Sequence, residues 1–523
     1  MGFIDSIANE LNNETKLTEN GAVGFRTTGK KLLDLNFAVA SLRRASEKEI
    51  INKFADAYWE DKVTAIKWLF YARDVREGLG ERRLFRVVME EFAKQNLKAA
   101  KELIKLVPEY GRWDDLWCLL ETTLVDDVVA VVHNQIVEDL DNMENNKSIS
   151  LLSKWMPSLN ASSKTTTKYA SILCKKMMHS PRSYRKMLSR MRKYIDVVEC
   201  KMSAKEWNGI NYETVPSRAN LIYNGAFLRN DEERRRAYLN ALEKGEAKIN
   251  AGTLYPHDIV HKYKKGGWSS CVGDYDATLE GLWKALPDTV KGCGNTIVVA
   301  DGSGSMTCNV GGNTSVTALD VANALAIYFA ERSSGEFKDK YITFSERPQL
   351  VDLSKGKTLR DKIQIALNHD EVANTNIEAV FDLILATAIK NHMTQDEIPA
   401  NILIVSDMEF DSCATSGESP ARSSWGWGYS TYNRPTTTLF NTIAKKYEAH
   451  GYKLPRLVFW NVNSRTGTIP VKENDLGVAL VSGFSVNIVN MVMSNKLDPY
   501  ECLLDVLNTE RYQPIEDAIK GII

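Results

Sequence analysis

The chain has 523 residues, 44% hydrophobic and 25% charged, with a formal net charge of −1 at pH 7. That length exceeds what one hydrophobic core usually supports, so two or more domains are expected, and the composition excludes a disordered or fibrous protein. No apolar run approaches the roughly 18 residues of a membrane span and no signal-peptide layout opens the chain, so a cytoplasmic protein without a membrane role is expected.

The opening MGFIDS fits the myristoylation pattern at Gly2, a pattern short enough to be met by chance. The eight cysteines are scattered without C-x-x-C spacing, which argues against a disulfide framework or a zinc knuckle and fits a reducing compartment.

Residues 33–195 read as successive amphipathic helices with short breaks. Val63, Ile66, Leu69 and Phe70 mark one. Leu84, Val87, Val88 and Phe92 mark the next, and Leu103, Leu106 and Val107 lead to a stop at Pro108. Short helix pairs of this kind predict a HEAT-like α-solenoid, with an irregular bundle as the alternative, since no fixed period is present.

Charge is unevenly spread along the chain. Residues 1–290 carry +5 and the remainder −6, and from Lys154 to Lys193 there are eleven Lys and Arg residues with no acidic residue. Within this stretch Ser180 and Pro181 predict a helix start, and Tyr184, Met187, Leu188, Met191 and Ile195 form its apolar stripe. Arg182, Arg185, Lys186, Arg190 and Lys193 fall largely outside the stripe. A charge run is usually a solvated face, but such faces mix signs. Forty residues without a carboxylate point instead to an electrostatic footprint for nucleic acid, and these five cations are the candidate RNA contacts.

After a further helical stretch to about residue 265 and a glycine-punctuated junction at 266–294, strands are expected near 295–300, 340–345, 348–352, 401–406, 456–461 and 478–482. Helices are expected near 316–332, 357–368, 376–391, 436–449, 485–495 and 499–508. Alternation of this kind specifies a doubly wound α/β domain. The domain boundary is placed at 290/291, with a helical domain over 1–290 and the α/β domain over 291–523.

The run NTIVVADGSGSM is the most informative part of that second domain. A strand buried on both faces ends in Asp301, Ser303 and Ser305 on a turn that Gly302 and Gly304 allow to be tight, and ligands of open α/β sheets gather beyond the carboxyl ends of strands. Thr375 precedes a helix carrying Ile377, Val380, Phe381 and Ile384, and Asp407 follows a second buried run after Ser406. Carboxylates and hydroxyls offer hard oxygen donors, which suit Mg²⁺ or Mn²⁺ and not zinc or copper. These five positions resemble the metal-ion-dependent adhesion site (MIDAS) of von Willebrand factor type A domains. The resemblance implies that Ser303, Ser305 and Thr375 reach the ion directly or nearly so and the aspartates partly through water, with the last position left for a protein partner's carboxylate.

Between Asp407 and the helix expected from 436 lies a segment too long for an ordinary strand-to-helix loop. Its Trp425, Trp427, Tyr429 and Tyr432, with Arg422 and Arg434, could stack bases or grip a partner. Packing of these aromatics back onto the domain is the alternative. Arg422, Trp425 and Trp427 are the candidate partner contacts.

Enzyme motifs are absent: there is no G-x-x-x-x-G-K-[ST], H-E-x-x-H or G-x-S-x-G. His257 and His261 share helical i,i+4 spacing but lack an identifiable third ligand, so structural roles are expected for them. A non-enzymatic protein is therefore expected.

The blocks FYARDVREGLGER, VPEYGRWDDL and VPSRANLIYNGAFLRNDEERRRAYLNALEKGEAKINAGTLYPHDIV, with LVFWNVNSRTGTIPV and GVALVSGFS, resemble the family catalogued as domain of unknown function 2828. That family is similar in architecture to the Ro autoantigen, whose TROVE module is a ring of HEAT-like helices joined to a type A domain and binds small noncoding or misfolded RNA. The resemblance implies an RNA-binding ribonucleoprotein scaffold with a Mg²⁺-dependent partner site. The alternative function is a protein-only metal-dependent adhesion or assembly module, including a virus or phage particle component.

Overall fold

A computed structural model describes residues 15–265, 271–290, 295–311, 314–371, 374–411, 438–472, 474–492 and 496–523. The described residues form two compact units that interleave along the chain. One takes the residues up to Ser46, Tyr255–Asp276 and Pro287–Val506; the other takes Glu47–Leu254, Ala277–Leu286 and Leu507–Ile523.

The second unit is helical: α1 (Glu47–Glu60), α2 (Lys62–Arg73), α3 (Arg82–Gln95), α4 (Val125–Glu144), α5 (Lys164–Lys176), α6 (Pro181–Tyr194), α7 (Ser217–Asn230) and α8 (Glu232–Glu243) are its longer elements. Helix α1 buries Ile50, Phe54, Ala57 and Tyr58, one face of a 3.6-residue repeat. Helix α2 is capped by Asp61, whose carboxylate accepts from the Thr64 N–H at 3.0 Å, and is buried from Ala65 to Arg73, as a central helix must be.

Two of the unusual sequence blocks are explained by buried ions. The Arg73 Nε donates to Asp115 Oδ2 at 2.7 Å, with its Nη2 2.6 Å from the same oxygen in a geometry that adds charge but no second hydrogen bond. Asp115 also accepts from Arg86 Nε at 2.8 Å and from the Arg112 N–H at 2.9 Å. A β-carbon on Gly111 would stand 2.5 Å from that carboxylate, so only glycine admits it. Asp74, fully buried, is held by the Arg511 guanidinium and by the Tyr512 hydroxyl at 3.2 Å, which ties the chain's last segment into this core. The third block buries Arg235, which reaches Asn220 Oδ1, Asn224 Oδ1 and Thr278 Oγ1, each at 3.2 Å, with the Tyr212 and Phe227 rings at 4.9 and 5.2 Å.

The other unit is built on a six-stranded sheet. A hairpin of β1 (Thr15–Leu17) and β2 (Val23–Phe25) precedes β3 (Thr296–Asp301), β4 (Lys340–Phe344), β5 (Gln349–Asp352), β6 (Asn401–Ser406), β7 (Arg456–Asn461) and β8 (Val478–Ser482). The sheet order is β8-β7-β6-β3-β4-β5, parallel throughout except for the β4/β5 edge pair. The register sets Val299 opposite Ile342 on one side and Ile404 on the other. Every residue of β3 is buried, as its unbroken apolar run requires of a strand covered on both faces.

The helices of this unit include α9 (Pro256–Tyr263), α10 (Ala318–Arg332), α11 (Leu359–Leu367), α12 (Glu378–Lys390) and α13 (Leu439–Ala449). Helix α10 is buried from Ala318 to Ala330 and is started by a capping box between Thr317 and Asp320. Among the described residues no helix is long and apolar enough to cross a membrane.

His257 of α9 is buried, stacked on Tyr255 at 5.4 Å and meeting Phe484 edge-on at 5.2 Å. Burial pushes its imidazole down to about 4, against the pull of Asp258. The unfolded chain therefore takes up a proton at His257 over roughly pH 4 to 6.5 that the folded chain refuses. The contribution of neutral His257 is complete above that window and is lost as pH falls through it, to about 3 kcal/mol. Urea midpoints measured near neutral and near pH 4.5 should fall less for His257→Phe than for the wild type; an equal fall would refute the assignment.

Candidate metal centre and basic helix face

Strands β3 and β6 lie side by side at the point where the sheet order reverses: from β3 the chain moves outward to β4 on one side and returns to β6 on the other. A crevice opens beyond the strand ends at such a switch point. Asp301 is the last residue of β3 and Asp407 follows the last residue of β6. Ser406 ties the first strand end to the turn after the second: its hydroxyl donates to Asp301 Oδ2 at 2.6 Å and accepts from the Met408 N–H at 2.9 Å. Met408 has φ of 63°, a left-handed conformation that costs a side-chain-bearing residue about 1–2 kcal/mol and turns the chain sharply after Asp407.

The first turn is closed by the Ser303 N–H donating to Asp301 Oδ1 at 2.9 Å, and the Ser303 and Ser305 hydroxyls are 3.1 Å apart. Neither Gly302 nor Gly304 takes a positive φ, so a left-handed backbone is not what makes this turn tight. Close packing explains Gly302 better: its N–H donates to Phe344 O at 2.8 Å, and a β-carbon would stand 3.2 Å from Thr343 Oγ1.

Thr375 is positioned by Asp411, whose Oδ2 accepts from the Thr375 N–H at 3.1 Å while the Asp411 N–H donates to Thr375 O at 3.0 Å. The hairpin turn between β1 and β2 reaches the same place. Asn20 Nδ2 donates to Thr375 Oγ1 at 3.2 Å and to Glu409 O at 2.6 Å, and Thr18 Oγ1 donates to Phe410 O at 2.6 Å. Buried Glu409 anchors the neighbouring loop by accepting from the N–H groups of Arg465 and Thr466 at 2.9 and 2.8 Å.

Asp301, Ser303, Thr375 and Asp407 are all buried, whereas Ser305 keeps partial exposure. Asp407 Oδ2 is buried with no hydrogen-bond partner, and the Arg465 guanidinium, 3.7 Å from it, supplies charge without a hydrogen bond. Burial, then Asp301, then Glu409 push the Asp407 carboxyl up to about 7, with the Ser305 hydroxyl pulling the other way. Burial also raises Asp301, opposed by its hydrogen bonds from Ser303 and Ser406. A buried oxygen without a donor, beside a second carboxylate, is an arrangement that a divalent cation would relieve. The donor set, two carboxylates and three hydroxyls, fits a hard cation. Among the described residues no group of three or more His, Cys, Asp or Glu side chains is placed to hold a metal, so any ion here depends on the hydroxyls.

The basic segment lies in the helical unit. Helix α6 starts as its sequence predicts, with the Ser180 hydroxyl accepting from the Ser183 N–H at 3.1 Å and Pro181 in the first turn. Tyr184, Leu188 and Met191 are buried, and Met187 and Ile195 are half-buried. Arg182, Arg185, Lys186, Arg190 and Lys193 are all exposed. Arg192, on the inner side, is a structural cation that donates to Ser153 O, Met156 O and Ser158 Oγ at 2.7–3.0 Å.

The metal candidates thus gather in one compact unit and the basic candidates along one helix of the other. Arg422, Trp425 and Trp427 lie outside the described residues. Asn20, Glu409, Asp411 and Arg465 were not singled out by sequence. Asp411 follows Asp407 closely enough to have been noticed, but nothing in the sequence joins Asn20 to Thr375.

Residues 121–296 match the family model described as Domain of unknown function (DUF2828), and residues 295–514 match that described as Domain of unknown function (DUF7788). The two matches adjoin at residues 295–296, whereas the compact units interleave along the chain. Uncharacterized protein L728 of Acanthamoeba polyphaga mimivirus is 29% identical over 539 residues, spanning 95% of this chain and 88% of its own length. Among solved structures, the Ro (RSR) protein of Deinococcus radiodurans aligns over 87% of this chain and 92% of its own, at 12% identity and a TM-score of 0.35. Over residues 121–296 the chain is thus similar to the DUF2828 family, and over residues 295–514 to the DUF7788 family.

Proposed function

We propose that this protein is a Ro-like ribonucleoprotein scaffold: the helical unit binds small noncoding or structured RNA, and the sheet unit, read as a type A domain, holds Mg²⁺ or Mn²⁺ to engage a protein partner's carboxylate. The exposed cations of α6 carry the RNA half. Arg182, Arg185, Lys186, Arg190 and Lys193 project from a helix whose apolar side is buried, and none forms an ion pair among the described residues. A row of cations without carboxylate partners is suited to phosphates, whose neutralisation releases counterions. The metal half is supported by the donor set at the switch point and by the orphaned oxygen of Asp407. Asp301, Ser303, Ser305, Thr375 and Asp407 would hold the ion, which when bound would offer an open position to a carboxylate. This is recognition and not turnover.

RNA affinity of the intact protein should fall steeply with salt. Changing the five cations together to Gln should flatten the slope of log affinity against log salt by about 0.7 for each phosphate no longer neutralised, about 3.5 for five. RNA with an unpaired end should bind better than blunt duplex, whose bases are hidden. An unchanged slope in the five-fold variant would remove α6 from the interface. No RNA binding at low salt would favour the protein-only assembly module.

A further inference from the structure

Elsewhere in the sheet unit, three side chains from two segments remote in sequence form a hydrogen-bonded line. His261 of α9 has Nε2 2.8 Å from Ser315 Oγ, on the turn before α10, and Nδ1 3.0 Å from Oδ2 of Asp320, in the first turn of α10. Exposure decreases along the line: Ser315 is exposed, the His261 side chain is 27% exposed and the Asp320 side chain 3%.

Asp320 is held in place from several sides. Its Oδ2 also accepts from the Thr317 N–H at 3.0 Å, and its Oδ1 is paired with the Lys264 ammonium. Burial opposes its charge, but His261, Lys264 and the Thr317 N–H outweigh burial and hold the carboxyl below the usual carboxylate range. An ionised carboxylate can only accept, so the neutral imidazole must carry its proton on Nδ1. That leaves the Nε2 lone pair facing the serine hydroxyl. Nucleophile, base and orienting carboxylate then stand in the relation that activates a serine in acyl transfer on several unrelated folds.

We propose that Ser315 is an activated nucleophile that cleaves accessible esters, with His261 as general base and Asp320 as its positioning residue. The Ser315 oxygen would bond to the ester carbonyl carbon as its proton passes to His261 Nε2. The bond from that carbon to the alcohol oxygen then breaks, the departing alcohol takes the proton from His261, and the acyl group stays on Ser315. Water, losing its proton to His261, would attack the acyl-serine and release the carboxylic acid, returning the proton to Ser315. Lys264 on the far oxygen of Asp320 weakens that carboxylate's pull on a protonated imidazole, so turnover should be slow and the acyl-serine step the easier one to see. This activity is independent of the metal centre and of the basic helix.

The test treats the full chain with diisopropyl fluorophosphate, which bonds phosphorus to a nucleophilic serine as fluoride leaves, and maps the adduct by peptide mass spectrometry. Labelling should fall on Ser315 and proceed equally with or without EDTA. His261→Gln should slow it at least 100-fold, the scale of a lost general base. Asp320→Asn, which can still cap α10, should slow it less, and p-nitrophenyl acetate hydrolysis should disappear in Ser315→Ala. Because Ser315→Ala removes only an exposed hydroxyl, its melting curve should match the wild type. Adducts spread over several serines, or equal labelling of Ser315 in His261→Gln, would overturn the proposal.

Discussion

Mg²⁺ should raise the melting temperature of the wild-type chain and leave that of Asp301→Ala unmoved. The expectation rests on two buried carboxylates near one another, one with an oxygen that no donor reaches. A cation bound only by the folded state adds about 2.7 kcal/mol of stability at a hundredfold excess over its Kd. Asp301→Ala removes a charged donor and should abolish that gain. Thr375→Ala removes a neutral hydroxyl and should reduce it less. Asp407→Asn should separate the two effects of charge: without metal it relieves the burial of a carboxylate beside Asp301 and so stabilises the fold above neutral pH, and it forfeits the response to Mg²⁺. Calorimetry and thermal melts with EDTA or Mg²⁺ decide the matter. Equal Mg²⁺ affinity in wild type and Asp301→Ala would remove the ion from this site.

The largest loss of stability is expected from Asp115→Ala. Asp115 is buried, and its carboxylate neutralises the buried Arg73 while also accepting from Arg86 and the Arg112 N–H. Removing one partner of a buried pair strands the other charge, at about 3–5 kcal/mol. Replacing both partners with apolar residues, as in Arg73→Met with Asp115→Leu, should recover much of the loss, because no uncompensated guanidinium then remains in the core. Denaturant unfolding of the two singles and the double measures the coupling directly. If Asp115→Ala costs under about 1 kcal/mol, the buried pair does not hold this core together.

Local pattern was enough for much of this protein. Strands β3, β4, β5, β6, β7 and β8 form within a residue or so of their expected places, because short apolar runs between turn residues leave the backbone few alternatives. Helix α6 starts at Ser180 and Pro181 and presents its cations outward, because both features depend only on neighbours within a turn or two. The placing of Asp301 and Asp407 at neighbouring strand ends was legible because each closes a buried apolar run, whatever the loops do.

What the sequence could not reveal are pairings made across long stretches of chain. The hairpin at 15–25 looked like part of a helical domain, but its bridges are to Asp411 and Ile469 in the sheet unit, and residues 255–276 likewise join that unit. Residues 507–523 end a chain segment read as α/β but pack with the helices, where Arg511 and Tyr512 meet Asp74. Asn20 on Thr375, and Ser315 on His261, arise in the same way. The hydrophobic pattern of a segment states which of its faces must be covered, and only the three-dimensional packing decides which distant segment covers it and which polar side chains are thereby brought within hydrogen-bond reach.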